Sequence, residues 1–308
     1  MVKQCGLWFL LIASALFYWG LKEQVHLWWA ENIASYPAIF LLPLFVIGLM
    51  SCLLKAWLTL FTCLLMIVSI VMLVTPPSIV VKSECHNPKK IFQYNMLYSN
   101  RQVNKLIAHL VELVPDLVIL QEVTPNHFDQ LKVLDRYYQY RFGGQPKVGL
   151  PSHQLIFSKQ PLYGMNVFYI EGEQNFTRGI WQFDSGHSIS LFVAHPPSPR
   201  NQELWKKRNA LIQALEYQAA NSPTSHILIV GDINLSASSA RFQSLFRAMK
   251  TLPVASWPNH PNFSLPAWLQ VSIDHLWLES DIEVCKREVV KGLNGSDHNA
   301  VTTYLNPR

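Results

Sequence analysis

The chain has 308 residues, of which 50% are hydrophobic and only 15% are charged, and its formal net charge is +5. An ordinary soluble domain carries about 25% charged residues, so this composition argues against a purely soluble, charge-rich protein. It also excludes a largely disordered chain, which needs low hydrophobicity and a high net charge. The small positive balance does not by itself indicate a nucleic-acid partner.

The N-terminal segment 1–81 contains three long apolar runs without a charge, at 5–21, 37–54 and 56–74. A helix rises about 1.5 Å per residue and the hydrocarbon core is about 30 Å thick, so each run can span it, the first only barely. We predict a transmembrane segment of about three helices, with Lys55 at a turn and Trp28 and Trp29 at the interface. The alternative is a cleaved signal peptide followed by buried core helices, but no convincing cleavage site follows the first run.

The flanking charges bear on the orientation of this segment in the cell inner membrane. Lys3 and the free amine precede the first run, and Lys22 is offset by Glu23, which favours a cytoplasmic N-terminus. Three crossings of a multi-pass segment then place residues 82–308 on the non-cytoplasmic side. Three lysines after the third run point the other way: Lys82, Lys89 and Lys90.

The five cysteines divide between the two parts of the chain. Cys5, Cys52 and Cys63 lie in the apolar runs, where they are small packing residues. Cys85 and Cys285 lie in the C-terminal part and could form a disulfide in an oxidising compartment. Two unrelated free thiols are the alternative.

Short apolar runs alternate with helical patterns from Ile91 onward, which indicates a layered domain of mixed α and β structure over 82–308. Two segments have apolar residues at helical spacing and a third is a short helix: Val103–Leu113, Gln202–Ala220 and Phe242–Met249. The predicted strands are Ile91–Leu97, Leu117–Leu120, His153–Phe157, Ile180–Phe183, Ile189–Ala194, Ile227–Val230, Ile273–Leu278, Ile282–Val290 and Ala300–Leu305.

Polar side chains stand at the ends of several of these apolar strands. They are Asn95, Glu122, His195, Asp232, Asn234, Asp274, Asp297 and His298. Most of them alone have an ordinary explanation as a turn, cap or loop residue. Asp274, which lies with His275 within an otherwise apolar strand, is harder to explain in this way, because a buried aspartate needs a partner. Polar groups at the ends of buried strands are costly unless they are paired or line a site, so together they predict a cleft at one edge of the sheets.

The order of these segments resembles the endonuclease/exonuclease/phosphatase superfamily, which includes exonuclease III-like nucleases, DNase I, inositol polyphosphate phosphatases and sphingomyelinases. The segments that carry the resemblance are Tyr94-Asn95, Leu120-Gln121-Glu122-Val123, Ala194-His195-Pro196, Gly231-Asp232-Ile233-Asn234, Ile273-Asp274-His275 and Gly295-Ser296-Asp297-His298. Ile233 and Ala300 depart from the usual Phe and Pro without removing a functional side chain. The resemblance implies an α+β fold, a DNase I-like four-layer αββα sandwich, forming a catalytic domain over 82–308.

The resemblance also implies a metal-dependent site. Glu122 is an oxygen ligand suited to Mg²⁺ or Mn²⁺, with Asp297 a second ligand and Asn95 close by. A tetrahedral zinc site is disfavoured because no Cys/His cluster has ligand spacing.

The remaining site residues match the other requirements of phosphoester hydrolysis. Asp232 would orient or deprotonate the attacking water, and His298, held by Asp274, would contact the phosphate or act as an acid or base. The division of roles between Asp232 and His298 stays open. Asn234 and His195 would bind phosphate. Arg178 is a further possible phosphate contact, and a solvated arginine is the alternative interpretation.

Three functions fit these residues. The first is a membrane-anchored phosphodiesterase or nuclease, and the second is a phosphatase or phosphodiesterase acting on a phospholipid or inositol-type head group. The third, an inactive membrane-tethered binding module, is disfavoured because every catalytic position has the expected residue type. The basic run Lys206–Arg208 could contact nucleic acid, although a solvated helix face is the simpler interpretation. No protein partner can be inferred from the sequence.

Overall fold

The N-terminal part of the chain is helical. The computed structural model describes residues 2–170, 175–260, 263 and 265–306. The first helices are α1 (Val2–Glu23), α2 (Trp28–Ala34), α3 (Leu41–Leu53) and α4 (Trp57–Val74). Helices α1, α3 and α4 pack together through one apolar cluster: Leu7, Leu11, Leu44, Ile47, Ala56 and Cys63.

Helix length corrects the prediction of three membrane crossings. In the described part of the chain, α1 is the helix that is long and apolar enough to span a membrane by itself, over Gln4–Glu23. A 3-10 turn at Pro37–Phe40 precedes α3. The 13 residues of α3 span about 20 Å, which is less than the thickness of the hydrocarbon core. Helix α2 and the segment Pro37–Leu53 meet at 76°, and Trp57–Met72 is a shorter apolar helix. By length and composition, the described residues therefore contain one helix that could cross a membrane, or two if the bent pair forms one span.

The C-terminal part combines thirteen described strands with three α-helices. The helices are α5 (Val103–Leu113), α6 (Pro125–Leu131) and α7 (Gln202–Ala220). The strands are β1 (Ile79–Val81), β2 (Lys89–Asn95), β3 (Leu117–Gln121), β4 (Tyr140–Phe142), β5 (Leu155–Ser158), β6 (Leu162–Tyr169), β7 (Asn175–Gln182), β8 (Ser188–Ala194), β9 (His226–Asp232), β10 (Lys250–Thr251), β11 (Asp274–Glu279), β12 (Glu283–Val290) and β13 (Ala300–Asn306).

These strands form two sheets that pack face to face. The first has the order β1-β12-β13-β2-β3-β5-β4, and the second has the order β10-β11-β9-β8-β7-β6. Strands β2 and β3 are parallel and are connected by α5. Strands β8 and β9 are also parallel and are connected by α7. The architecture is the expected α+β sandwich.

Alternation along the strands explains why the sheets are covered on both faces. On β3, Leu117 and Ile119 enter the core between the sheets, whereas Val118 and Leu120 pack towards α5. Strand β9 alternates in the same way between the inter-sheet core and α7. A strand buried on both faces is a continuous apolar run, which is why these strands were predictable.

Several segments differ from the prediction: the short elements β1, β4, β10 and α6 were not predicted, and two further segments have identifiable reasons. Strand β6 was missed because it is a largely exposed edge strand, interrupted by Gly164 and Asn166, and has no apolar alternation. The predicted helix Phe242–Met249 is only a 3-10 turn at Phe242–Ser244. Its apolar residues pack against α7 from turns, and Phe246 has a φ of 44°, which ends any helix.

A disulfide joins Cys85 to Cys285 on β12, with their Cα atoms 6.0 Å apart. The pairing that the sequence left open is therefore made. We expect mass spectrometry of the unreduced protein to find both thiols blocked. Reduction of the disulfide should lower the free energy of unfolding by about 2–4 kcal/mol. Cys63, which is buried among the N-terminal helices, is the free-thiol control. Two free thiols in the C-terminal part would contradict the pairing.

Candidate active site

The ends of both pairs of parallel strands meet at one edge of the sandwich. The register pairs Asn95 of β2 with Gln121 of β3, and Asp232 of β9 with Asp274 of β11. Gly231 lets β9 pass close to β8, because a Cβ there would lie 2.0 Å from the carbonyl oxygen of Ala194. This close approach brings the residue after β8, His195, beside Asp232.

Asp232 is the centre of the resulting cluster, with its carboxylate 1% exposed. One oxygen, Oδ2, accepts a hydrogen bond from Nδ2 of Asn95 at 3.0 Å. The same oxygen lies 3.5 Å from Nε2 of His195 and 3.7 Å from Nε2 of His298. The other, Oδ1, accepts the backbone N–H of Asn234 at 2.9 Å. Burial opposes the charge, but the two histidines and this backbone donor lower the pKa of Asp232 to about 2, so it is a carboxylate at neutral pH.

His298 is held between two aspartates. Its Nδ1 lies 2.8 Å from Oδ2 of Asp274, and its Nε2 faces Asp232. Burial lowers the pKa of this imidazole, but the charges of Asp274 and Asp232 outweigh that effect and raise it to about 10. His298 is therefore an imidazolium at neutral pH and can donate a hydrogen bond or a proton.

The Asp274→Asn variant tests this electrostatic arrangement. Loss of the Asp274 charge lowers the pKa of His298, so the imidazolium is lost at a lower pH. We expect the alkaline limb of the pH profile of kcat/KM to move to lower pH. Asp281→Asn, at an exposed position, is the control. An unchanged alkaline limb would show that Asp274 does not set the protonation of His298.

Glu122 and Asp297 provide further carboxylates at the same edge. Glu122 Oε1 accepts from Nδ2 of Asn95 at 3.0 Å and lies 3.8 Å from Nε2 of His195, and its side chain is 16% exposed. Asp297 Oδ2 accepts from the indole N–H of Trp257 at 3.2 Å. The carboxylates of Glu122, Asp232 and Asp297 line one cavity of about 630 Å³. Carboxylates that line the same cavity supply oxygen donors of the kind that a divalent cation binds.

Of the remaining predicted site residues, Asn95 lies inside the cluster and Arg178 does not. The Nδ2 group of Asn95 bridges Glu122 and Asp232, while its Oδ1 accepts the N–H of Leu97 at 3.1 Å. The guanidinium of Arg178, on β7, packs on the ring of Phe168 and hydrogen-bonds to Gln218. These contacts do not bring Arg178 to the cluster around Asp232.

Supporting residues to which the sequence analysis assigned no role hold the cluster in place. Gln121 accepts the N–H of Asp232 at 2.7 Å and donates to the carbonyl of Ala194 at 2.8 Å, which ties β3 to β8 and β9. Ser296 donates to the carbonyl of Asn95 at 2.7 Å. Both residues lie within the segments that carry the family resemblance, and that membership was the available signal.

Two packed β-sheets flanked by helices, with buried acid–histidine pairs and carboxylates at the strand ends, are an arrangement suited to the hydrolysis of phosphoester bonds. The sequence model of the endonuclease/exonuclease/phosphatase family matches residues 92–298. The chain belongs to this family, and it is a hydrolase that acts on ester bonds of phosphate. No curated protein matches the sequence.

Three different proteins with solved structures illustrate the similarity of fold. TDP2 of D. rerio, complexed with a single-strand DNA product, is 18% identical with a TM-score of 0.59, covering 72% of this chain and 100% of that one. The human Nocturnin catalytic domain is 17% identical with a TM-score of 0.54, covering 75% and 99%. A mannosyl-6-phosphatase of Bacteroides thetaiotaomicron is 15% identical with a TM-score of 0.54, covering 70% and 99%. At these identities the likeness shows the fold alone.

Proposed function

We propose that the protein is a membrane-anchored, metal-dependent phosphoester hydrolase, acting as a phosphodiesterase or nuclease through an activated water. The observation that carries the proposal is the buried cluster in which Asp232 contacts Asn95, Asn234, His195 and His298. A charged carboxylate beside a charged imidazole supplies a base and an acid within one site.

The roles of the chain's own residues follow from their charges. The Asp232 carboxylate orients the attacking water and accepts its proton. The His298 imidazolium, held by Asp274, donates to a phosphate oxygen or to the leaving oxygen. His195 donates to the phosphate, and the amide of Asn234, which now donates to Pro196 and Asp232, can turn to a phosphate oxygen. Between Asp232 and His298, the opposite charges favour Asp232 as the base.

Mg²⁺ or Mn²⁺ is the proposed cofactor, with Glu122 and Asp297 as its ligands and Asn95 as a neighbour that orients Glu122. When bound, the cation would neutralise charge that develops on the phosphate. Asp232, Asp274 and His298 also have ligand atoms within 4.8 Å of one another, but Asp274 and His298 already satisfy each other. The oxygen-rich, partly open position of Glu122 therefore suits the cation better.

Membrane attachment is proposed from the apolar surfaces of the N-terminal helices. Large side chains project from α1, α3 and α4 and stay more than half exposed, among them Phe9, Leu16, Leu42, Phe45, Leu58 and Phe61. Such a surface needs lipid or a partner to cover it. We propose that α1 crosses the inner membrane and that the α3–α4 hairpin enters the bilayer beside it.

The charges at the ends of these helices favour a non-cytoplasmic catalytic domain. Lys3 precedes the apolar run of α1 in the sequence, and positive charge favours the cytoplasm for that end of the helix. The disulfide between Cys85 and Cys285 fits an oxidising compartment on the other side.

A second candidate substrate, a phospholipid head group, is favoured over nucleic acid by one observation. The basic run on α7 gives little phosphate-binding surface, since Lys207 pairs with Glu203 at 2.7 Å and Arg208 is 1% exposed. Binding of a nucleic-acid backbone needs several exposed cations.

The test is hydrolysis by the full chain in detergent with Mg²⁺, on bis(p-nitrophenyl) phosphate, on plasmid DNA and on phospholipid vesicles. We expect turnover of the small diester. A steep loss of DNA cleavage with rising salt would favour the nuclease. No hydrolysis of any of these substrates would contradict the proposed function.

A further inference from the structure

The cavity at the active site has a wall that does not belong to the catalytic sandwich. Beside Glu122, Asp232 and His298, it is lined by Asn32 and Tyr36, which lie in and just after α2. The segment 28–36 thus connects two of the apolar helices and closes one side of the catalytic cavity. The family model begins only at residue 92, far beyond this segment.

Glu31 fixes the segment to the catalytic domain through a buried ionic cluster. Its carboxylate, 1% exposed, lies 2.5 Å from Nη2 of Arg208 and 3.1 Å from Nε of Arg241. Ser239 and the indole N–H of Trp205 also donate to it. Burial raises the pKa of Glu31, but the two guanidinium groups and the indole outweigh that effect and lower it, so the group is charged. A buried carboxylate with four donors holds α2 in one position.

The same cluster reaches the catalytic residues. Nη1 of Arg208 donates to the backbone carbonyl of Asn234 at 3.0 Å, while Nη2 binds Glu31. Asn234 is held at a φ of 51°, and its N–H binds Asp232. A chain of direct contacts therefore runs from Glu31 on α2 through Arg208 to Asn234, in the loop that follows Asp232.

Further contacts hold the segment against the mouth of the cavity. Nδ2 of Asn32 donates to the carbonyl of Pro199 at 2.6 Å, and the hydroxyl of Tyr36 donates to the carbonyl of Leu269 at 2.5 Å. The Tyr36 ring lies edge-on to Trp257, with 6.4 Å between centroids. Trp257 in turn donates to Asp297, so the aromatic pair lies directly beside the carboxylates.

The lining of the cavity combines polar and apolar groups. The polar groups include Glu122, Asp232, Asp297, His298 and the exposed Arg200, and the apolar ones are Leu97, Val271, Ile273 and the rings of Tyr36 and Trp257. An amphiphilic phosphoester matches such a lining, with its phosphate at the acid–histidine cluster and its apolar portion along the rings. Trp29, which is 43% exposed and is predicted from the sequence to lie at the membrane interface, is on the same short helix as Glu31.

We propose that segment 28–36 completes the active site and selects a phospholipid phosphoester presented at the bilayer surface. This inference rests on the proposed phosphoester hydrolysis. Tyr36 contacts the substrate and determines specificity, whereas Glu31 is a positioning residue that acts through Arg208 on the Asn234 loop. The N-terminal helices are then part of the enzyme's substrate site as well as its anchor.

The test compares two substrates of the full chain in mixed micelles with Mg²⁺. One is bis(p-nitrophenyl) phosphate, and the other is phosphatidylethanolamine, phosphatidylglycerol and phosphatidic acid incorporated in the same mixed micelles, measured as released phosphate or head group. We expect Tyr36→Ala to lower kcat/KM for lipid roughly tenfold more than for the small diester, because it removes the aromatic wall. Tyr36→Phe, which keeps the ring, should restore the ratio. Plasmid DNA is the competing substrate.

Glu31→Gln tests the positioning role and keeps the shape of the side chain. We expect kcat on the small diester to fall about tenfold with little change in KM, because the Asn234 loop is displaced while the cavity remains. Glu203→Gln on α7 is the matched control, since Glu203 forms an exposed ion pair with Lys207. Circular dichroism and Tm establish that each variant is folded.

The outcomes separate this inference from the proposed function. Wild-type turnover of the small diester, with an unchanged lipid-to-diester ratio in Tyr36→Ala, would overturn the inference and leave the hydrolase intact. Preferential cleavage of plasmid DNA that is insensitive to Tyr36 would overturn it in favour of a nuclease. Absence of any wild-type turnover would instead remove the proposed function itself.

Discussion

The Asp232→Asn variant is expected to lower kcat for phosphoester hydrolysis by about 10²–10³, because one preorganised charged group at the reacting centre is lost. The amide keeps the shape of the side chain and can still accept from the N–H of Asn234. It cannot take a proton from water or stabilise the imidazolium of His298. Steady-state kinetics on bis(p-nitrophenyl) phosphate measures the effect.

Asp281→Asn is the matched control for this variant. Asp281 is also an aspartate beside a histidine, 3.5 Å from Nδ1 of His226, but it lies near the opposite end of β9 and is half exposed. Its loss should leave kcat unchanged. Activity of Asp232→Asn within tenfold of wild type would show that Asp232 is not the group that activates water.

Removal of divalent cations is expected to abolish turnover. EDTA should stop hydrolysis completely, and Mg²⁺ or Mn²⁺ should restore it, because the clustered carboxylates of Glu122 and Asp297 repel a phosphate unless a cation lies between. Glu122→Gln should raise the Mg²⁺ concentration needed for half-maximal rate. Full activity in the chelator would rule out the proposed roles of both carboxylates.

The secondary structure around the site was predictable because burial on both faces gives strands a distinct sequence pattern. Helices α5 and α7 have the predicted bounds, Val103–Leu113 and Gln202–Ala220, since each presents one apolar face to a sheet. The polar residues at the ends of β2, β8 and β9, which are Asn95, His195 and Asp232, converge because parallel strands end at one edge of a sheet. Asp232, Asp274 and His298 could therefore be assigned to one cleft from the sequence.

Contacts between distant segments could not be predicted in this way. Arg208 has two lysines before it and looks like part of a solvated basic face, yet it is buried by Glu31, which is 177 residues away. Nothing in the sequence near either residue indicates the partner. The 3-10 turn that occupies the start of the run 37–54 was also hidden, because Pro37, which begins the turn, is followed by an uninterrupted apolar stretch.

Anomalous X-ray scattering from crystals of the full chain soaked in Mn²⁺ locates the proposed cation. We expect a manganese peak at coordination distance from the Glu122 carboxylate, in the cavity that Asp232 and Asp297 also line. A peak at His187, His226 and Asp281 instead, with none beside Glu122, would contradict a metal-dependent phosphoester site at this edge of the sandwich.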